Sequence, residues 1–177
     1  MKWNKTIIYV FRFIIFVLIQ GLVLNHMNIS GYLNPLLYVM FILLLPFNLA
    51  KQWVLILAFV TGYAVDLFSG TPGMHAAALV FAAFLRPFLI NAVTRQDDLE
   101  AGASPTIKDM GFRWVFVYST ILVVIHHTIF FFIESFRISE FLQTATRALL
   151  SSLMTLVLIM LIQVLFFSGS GSKRKFT

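Results

Sequence analysis

The sequence predicts an all-α membrane protein with about six transmembrane helices and with both chain ends in the cytoplasm. Of its 177 residues, 60% are hydrophobic and 11% are charged, and the mean hydropathy is +0.92. A soluble domain carries about a quarter charged residues, so this chain has too few of them to cover a water-facing surface. Several apolar stretches also approach the roughly 20 residues that cross ~30 Å of hydrocarbon. Lipid is therefore the expected solvent for most of the chain.

The placement of charge and the lack of cysteine exclude several classes of protein. The net charge is +6, but Lys and Arg stand in short segments between apolar runs and form no continuous patch, so no nucleic-acid partner is expected. The chain has no cysteine, which excludes disulfides, thiol nucleophiles and thiolate metal sites. The first apolar run is too long for the core of a signal peptide, and no small-x-small cleavage pattern follows it. We interpret it as an uncleaved first span.

A single membrane domain, 1–177, is predicted to contain six spans. Their expected bounds are 7–27, 32–49, 52–68, 72–93, 112–133 and 145–167. The second span is short, because its apolar core, Leu36–Leu49, has only 14 residues, or roughly 21 Å of helix. We extend it to Tyr32, past the turn signal of Asn34 and Pro35, and we expect Pro46 to kink or end it.

The orientation follows from the alternation of basic residues, because Lys and Arg are enriched in cytoplasmic loops. Basic residues precede the first span and lie between spans two and three, whereas the loops 28–34 and 69–71 carry no charge. This alternation favours an N-terminus and a C-terminus that are both inside. We expect 94–111, which is polar and rich in turn residues, to be a flexible cytoplasmic loop. The segment 168–177 is expected to be a flexible basic tail.

The densest polar motif joins spans three and four. Pro72 suits the first turn of a helix, and Thr71 is expected to cap the free N–H groups of that turn. Gly70 and Gly73 permit tight backbone geometry at this point. The motif as a whole consists of Gly62, Asp66, Ser69, Gly70, Thr71, Pro72, Gly73 and His75.

Asp66 is the costly member of this motif, since a carboxylate near the end of a span needs a partner or water. Ser69, Thr71 and the first N–H groups of span four are candidate donors to it. Pairing with His75 is a further candidate. We favour a structural clamp on this turn, and a contact with a partner or ligand is the alternative.

Arg86 and Pro87 interrupt span four. Arg86 is 14 residues beyond Pro72, about 21 Å along a helix, so it lies in the cytoplasmic half and too deep on that side to pair with Asp66. Pro87 is expected to free the backbone carbonyl of Ala83. We expect a kinked helix end with a snorkelling Arg86 at the interface. A polar contact of Arg86 with a partner or a membrane lipid headgroup is the alternative.

Small residues recur four apart in span four, where they let helix backbones approach closely in lipid. The pairs are Gly73 with Ala77 and Ala78 with Ala82. Packing within the chain is the default interpretation. Packing against another protein, or against a second copy in a homodimer, stays open.

No catalytic residue, metal site or cofactor is predicted. Asp66, Ser69 and His75 are residue types used in acyl transfer. Intramembrane serine proteases, however, carry a G-x-S-G motif around the nucleophile. In this chain Leu67 occupies the position of the first glycine of that motif. Adjacent histidines on a helix point about 100° apart and cannot chelate one ion together. Residues expected to have a structural or interhelical hydrogen-bonding role are Gln20, Asn25, His26, His126, His127, Arg147 and Gln163.

The motif resembles the signature of the MreD family of rod shape-determining proteins, and the chain length and the number of spans are similar to that family. The residues that match are Gly62, Asp66, Gly70, Gly73 and His75, within the pattern Gly62-x3-Asp66-Leu-Phe-Ser69-Gly70-Thr71-x-Gly73-x-His75-Ala76. Arg86 and Pro87 match only a subset of the family.

The resemblance implies a non-enzymatic component of the elongasome in the bacterial inner membrane, which supports rod shape and lateral peptidoglycan synthesis. It implies binding to the bitopic protein MreC, alongside MreB, RodA and the elongation-specific penicillin-binding protein. It also implies a fold similar to the S-components of energy-coupling-factor transporters. Our hypothesis is that spans three and four form the docking surface for MreC.

Two other functions are weighed against this one. An S-component-like small-molecule carrier is the first alternative. Such carriers have an A-x3-A motif on span one, but Met1–Leu49 contains no alanine. An intramembrane enzyme is the second, and the incomplete serine motif disfavours it.

Overall fold

The fold is given by a computed structural model that describes residues 5–26, 33–94, 103–136 and 138–167. Its first helix, α1 (Lys5–Leu18), continues as a π-helical turn (Ile19–Val23) and a 3-10 turn (Leu24–His26). The other elements are α2 (Val39–Leu43), α3 (Lys51–Ser69), α4 (Met74–Val93), α5 (Ile107–Met110), α6 (Phe112–Ser135), a 3-10 turn (Ile138–Glu140) and α7 (Phe141–Phe167). Five helices of this described part are long and apolar enough to cross a membrane, namely Thr6–His26, α3, α4, α6 and α7.

Most of the predicted spans are confirmed as helices. The helices α3, α4, α6 and α7 agree with the predicted bounds to within four residues, because long apolar runs with turn residues between them identify such helices by composition alone. The first span is helical as far as His26. Pro72, which we expected in the first turn of α4, precedes that helix by two residues. The predicted tail 168–177 lies outside the described residues.

The second predicted span, 32–49, is wrong as a helix. Only Val39–Leu43 is α-helical, and irregular backbone lies on both sides of it within the described stretch 33–50, which we call the central segment. Each residue from Leu36 to Leu45 is at most 4% exposed. Non-helical backbone is tolerated at membrane depth where protein surrounds it. A buried irregular segment and a lipid-facing helix are therefore both apolar, and composition alone does not distinguish them.

The direction of the elements follows from one contact between α1 and α3. The amide Nδ2 of Asn25 donates to the hydroxyl of Ser69 at 2.7 Å, so the C-terminal ends of the two helices lie together and the helices run parallel. We call this end of the bundle the Asp66 end and the opposite one the Arg86 end. The central segment returns between them, since the carbonyl of Pro35 accepts from Gln20, which also bonds Asn25, and the carbonyl of Leu45 lies against Arg86.

The loop expected over 94–111 is in part ordered. Residues 95–102 lie outside the described part, but α5 follows at Ile107 and packs against α6 and α7. Gln163 of α7 holds this stretch by accepting from the N–H of Ile107 at 3.3 Å and donating to the carbonyl of Pro105 at 3.2 Å. The expectation of a flexible loop is therefore wrong for its second half, because a buried amide of α7 satisfies that backbone.

Candidate functional site

The turn between α3 and α4 is built by two glycines and one carboxylate. Gly70 ends α3 with φ +64° and Gly73 precedes α4 with φ +83°, both in the left-handed region that glycine adopts without strain. This turn reverses the chain within a few residues. As a result, Asp66, in the last turn of α3, lies next to the first N–H groups of α4.

The Asp66 carboxylate accepts four hydrogen bonds. Its Oδ1 accepts from the Thr71 hydroxyl at 2.5 Å, and from the backbone N–H and Nδ1 of His75, both at 3.0 Å. Its Oδ2 accepts from the backbone N–H of Ala76 at 3.0 Å. The Asp66 and His75 side chains are 2% and 3% exposed. A carboxylate of one helix thus caps the N-terminus of the next, where the helix dipole also favours negative charge.

Several expectations for this turn are confirmed and two are wrong. Asp66 does accept from Thr71, from His75 and from backbone N–H groups of α4. Ser69 is not a donor to Asp66, because its hydroxyl donates to the carbonyl of Val65 at 3.0 Å. Thr71 is not the cap of α4 either, because its hydroxyl donates to Asp66. The residue that precedes α4 is Gly73, which has no side chain to make a capping bond.

The small residues of the motif bring α3 and α4 into backbone contact. A Cβ added to Gly62 would meet the Cα of Ala76, and it would lie 2.7 Å from the carbonyl oxygen of His75. On α4, Ala78 and Ala82 are fully buried, whereas Ala77 is exposed. Packing within the chain is therefore confirmed for Ala78 and Ala82, and Ala77 lies on the outer face.

His75 also links the turn to the central segment through aromatic contacts that sequence reasoning missed. Its ring lies 4.4 Å from the ring of Phe130 and 5.5 Å from that of Tyr38, measured between centroids. The Tyr38 hydroxyl shares a hydrogen bond of 2.8 Å with Nε2 of His126. Tyr38 and both histidines are at most 3% exposed. The only signal in the sequence was the presence of polar rings inside apolar runs.

Side chains of α1 and α7 supply the hydrogen bonds that the irregular backbone of the central segment lacks. The amide of Gln20, placed by the π-helical turn, donates to the carbonyl of Pro35 at 3.1 Å and accepts from the N–H of Tyr38 at 3.4 Å. The Thr155 hydroxyl accepts from the N–H of Leu36 at 3.0 Å and bonds Nε2 of His127 at 2.9 Å. Both interactions satisfy buried backbone groups whose desolvation would otherwise be costly.

The tautomer of His127 follows from its two partners. Its Nδ1 lies 2.9 Å from the carbonyl oxygen of Val123, which can only accept, so Nδ1 carries the proton. Nε2 is then the acceptor of the Thr155 hydroxyl proton. The structural role expected for this histidine is therefore confirmed: it belongs to a chain of hydrogen bonds that joins α6 to α7 and to the central segment.

Other polar residues inside the spans also have internal partners. Asn25 bonds Gln20 and Ser69, and Arg147 pairs with Glu134 at 3.3 Å between α7 and α6. The expected interhelical role is confirmed for these residues. His26 is exposed at the end of α1.

Arg86 points inward, so the expectation that it snorkels to the interface is wrong, whereas its contact with a partner or a lipid headgroup stays a prediction. Its Nε donates to the Tyr118 hydroxyl at 2.9 Å, its Nη2 donates to the carbonyl of Leu45, and the side chain is 3% exposed. It therefore neither snorkels to the interface nor contacts a partner through these two nitrogens. The unwound end of the central segment leaves a buried carbonyl without a helical donor, and a long cation inside the bundle meets that need. Pro87 lies within α4, which continues to Val93.

The chemistry available at the motif is that of a closed hydrogen-bonded clamp. Asp66 is surrounded by donors, and the Ser69 hydroxyl is bonded to Val65 and Asn25 rather than to His75. Among the described residues, no group of three or more His, Cys, Asp or Glu side chains is arranged to hold a metal ion. Comparisons of the chain with protein families, curated proteins and solved structures find no match.

Proposed function

We propose that this chain is a multi-pass component of the bacterial inner membrane of the MreD type, which binds MreC and has no enzymatic activity. In this proposal it belongs to the elongasome, together with MreB, RodA and the elongation-specific penicillin-binding protein, and it supports rod shape and lateral peptidoglycan synthesis. The motif around Asp66 supports the proposal at the level of sequence, and the inward use of its polar groups supports a structural role for that motif.

The proposed topology has six crossings, with both ends in the cytoplasm. Because α1 and α3 run parallel, the chain has to return between them, and the central segment makes that return as an unwound crossing. The guanidinium of Arg12 lies 5.0 Å from the ring of Phe167, which supports placing the start of α1 and the end of α7 at one end of the bundle. The basic residues of the predicted loops favour the cytoplasm for that end.

One observation carries the proposed mode of action: the motif joins α3 to α4 from the inside and leaves their outer faces apolar. Gly62 allows backbone contact, and Asp66 ties the two helices at their shared turn. A pair fixed in this way is a rigid surface on which another transmembrane helix can pack through van der Waals contact. The large exposed side chains of α3 and α4 are Trp53, Ile56, Phe59, Val60, Tyr63, Leu67, Phe68, Phe81, Phe84 and Phe88.

Site-specific photocrosslinking tests the proposed surface directly. A photoreactive phenylalanine analogue replaces Phe59 of α3 or Phe84 of α4, and the full chain is co-expressed with MreC of the same bacterium. Leu153 of α7, which is 60% exposed, serves as the matched lipid-facing control. We expect a crosslink to MreC from α3 or α4 and none from Leu153. Equal yields from all three positions, or no MreC crosslink from either helix, would contradict the proposed surface.

Asp66→Ala tests whether the clamp supports that surface. We expect less MreC to co-purify, because α4 loses its cap and the pair loses its fixed geometry, while the chain still inserts in the membrane. Thr155→Val is the matched control, because it removes buried hydrogen bonds to the central segment and to α6 and leaves those of Asp66 in place. Recovery of MreC that is unchanged in Asp66→Ala, or reduced equally in both variants, would reject this role of Asp66.

A further inference from the structure

A cavity of about 370 Å³ opens at the Arg86 end, between the start of α3 and the last turns of α4. Its volume lies in the range of small-molecule pockets, roughly 300–1,000 Å³. The wall is apolar along Val54, Leu55, Phe84 and Phe88. The remaining side of the cavity is polar and lies at the helix ends, where the lining residues are Asn48, Lys51 and Asn91.

Two cations border this cavity, and its described lining contains no carboxylate. Lys51 is exposed at the first residue of α3, and Arg86 is buried seven residues before the end of α4, about 10 Å deeper along that helix. Arg86 donates from Nε and Nη2 to Tyr118 and Leu45, so those two bonds do not use its Nη1. The residue before α3, Ala50, has no side chain that caps the helix, and it also lines the cavity.

We propose that this cavity binds the phosphate group of an anionic membrane lipid, with an acyl chain along the apolar wall. The polar edge and Lys51 match a negatively charged headgroup at the interface, where one basic side chain attracts anionic lipid. Arg86, which lies deeper in the bundle along α4, adds positive electrostatic potential to the cavity. Phe84 and Phe88, which are exposed on the outer face of α4, continue the wall into the region of the acyl chains.

The combination favours a lipid over a soluble phosphate compound. A soluble anion would need only the polar edge, whereas this cavity pairs that edge with a long apolar wall on a membrane-facing helix. Burial of an acyl chain against such a wall contributes in proportion to the apolar area it covers. The lipid shares Phe84 and Phe88 with the surface proposed for MreC, so lipid binding is measured on the chain without partner proteins.

Native mass spectrometry of the full chain, released from nanodiscs with equal phosphatidylglycerol and phosphatidylcholine, tests the proposal. We expect one phosphatidylglycerol molecule to be retained preferentially on the wild type. Lys51→Gln should lower that retention roughly fivefold, the effect of one interfacial cation. Leu55→Trp should lower it as well, because the larger side chain fills the cavity without changing any charge.

The matched control is Lys108→Gln, which removes a basic residue in the short helix α5 that does not line the cavity. It should retain phosphatidylglycerol as the wild type does. The proposal is overturned if Lys51→Gln and Leu55→Trp keep the lipid, if Lys108→Gln loses as much of it, or if phosphatidylcholine is retained equally. Displacement of the lipid by excess inorganic phosphate alone would instead identify a soluble-anion site and overturn the lipid assignment.

Discussion

Asp66 and His75 are joined twice, because Oδ1 of the carboxylate accepts from the backbone N–H and from the ring Nδ1 of the same histidine, each at 3.0 Å. The first bond caps α4, and the second fixes the imidazole. The ring so fixed lies against Tyr38 of the central segment and Phe130 of α6. One carboxylate in the last turn of α3 therefore orients three other parts of the fold.

The Asp66 clamp should contribute measurably to stability. We expect Asp66→Ala to lower the free energy of unfolding by at least about 3 kcal/mol, since each hydrogen bond to a charged group contributes about 1.5–3 kcal/mol and the variant leaves several buried donors unpaired. Asp66→Asn should lose less, because its amide oxygen still accepts from His75. Reversible unfolding in mixed micelles measures both variants. An Asp66→Ala protein as stable as the wild type would contradict the clamp.

Gly62 and Gly70 are glycines for different physical reasons, and paired substitutions separate them. Gly62→Ala places a Cβ against the backbone of Ala76, so α3 and α4 must move apart, at a cost of about 1–3 kcal/mol. A Cβ at Gly70 meets nothing within 4 Å, and only its φ of +64° restricts the residue. Gly70→Asn should therefore be nearly neutral, since Asn tolerates this conformation.

Thermal unfolding in one detergent ranks the two glycine variants. The expected order is wild type and Gly70→Asn together, with Gly62→Ala clearly lower. A reversed order would show that the turn, rather than the close approach of the helices, limits this motif.

The Thr155 hydroxyl serves two buried groups at once, which makes an isosteric substitution informative. Thr155→Val keeps the shape but leaves the N–H of Leu36 and Nε2 of His127 without their partner. We expect a loss of roughly 2–6 kcal/mol, from about 1–3 kcal/mol for each of the two unsatisfied groups. Thr155→Ser retains the hydroxyl and should stay within about 1 kcal/mol of the wild type. A loss in Thr155→Val no larger than the loss in Thr155→Ser would show that the hydroxyl contributes no more than the methyl group, and it would contradict this role of the hydroxyl.

The long helices were predictable because a single physical requirement, an apolar length of about 20 residues, identifies them. The central segment was not, since Leu36–Leu45 is buried on all sides and its composition carries no period that separates helix from irregular backbone. The signals present were Pro35 and Pro46 at its two ends and the short apolar length between them. The two prolines and the short apolar length indicate a broken helix where a polar side chain, here Gln20, can hydrogen-bond the backbone groups that the break leaves free.

At the motif, the sequence predicted the local contacts and missed the distant ones. Asp66, Thr71 and His75 lie within ten residues, so a turn brings them together under any arrangement of the other helices. Tyr38 and His126 are 88 residues apart, and only the packed bundle brings them into contact. Arg86 was misjudged for a related reason: its acceptor is a backbone carbonyl that an intact second helix would have satisfied itself.

The bond from Arg86 to the carbonyl of Leu45 should hold the central segment in place at the Arg86 end. Since the chain has no cysteine, a single Leu44→Cys substitution, at a position 1% exposed, reports local opening by its reaction with a water-soluble maleimide. We expect Arg86→Leu to raise the labelling rate roughly tenfold or more, because a buried acceptor loses a charged donor. Tyr118→Phe removes only the acceptor of Nε and should leave labelling slow, and Ser139→Cys, which is exposed, should label quickly in every background. Equal rates in the Arg86→Leu and Tyr118→Phe backgrounds would show that the segment is held by its apolar packing and not by this cation.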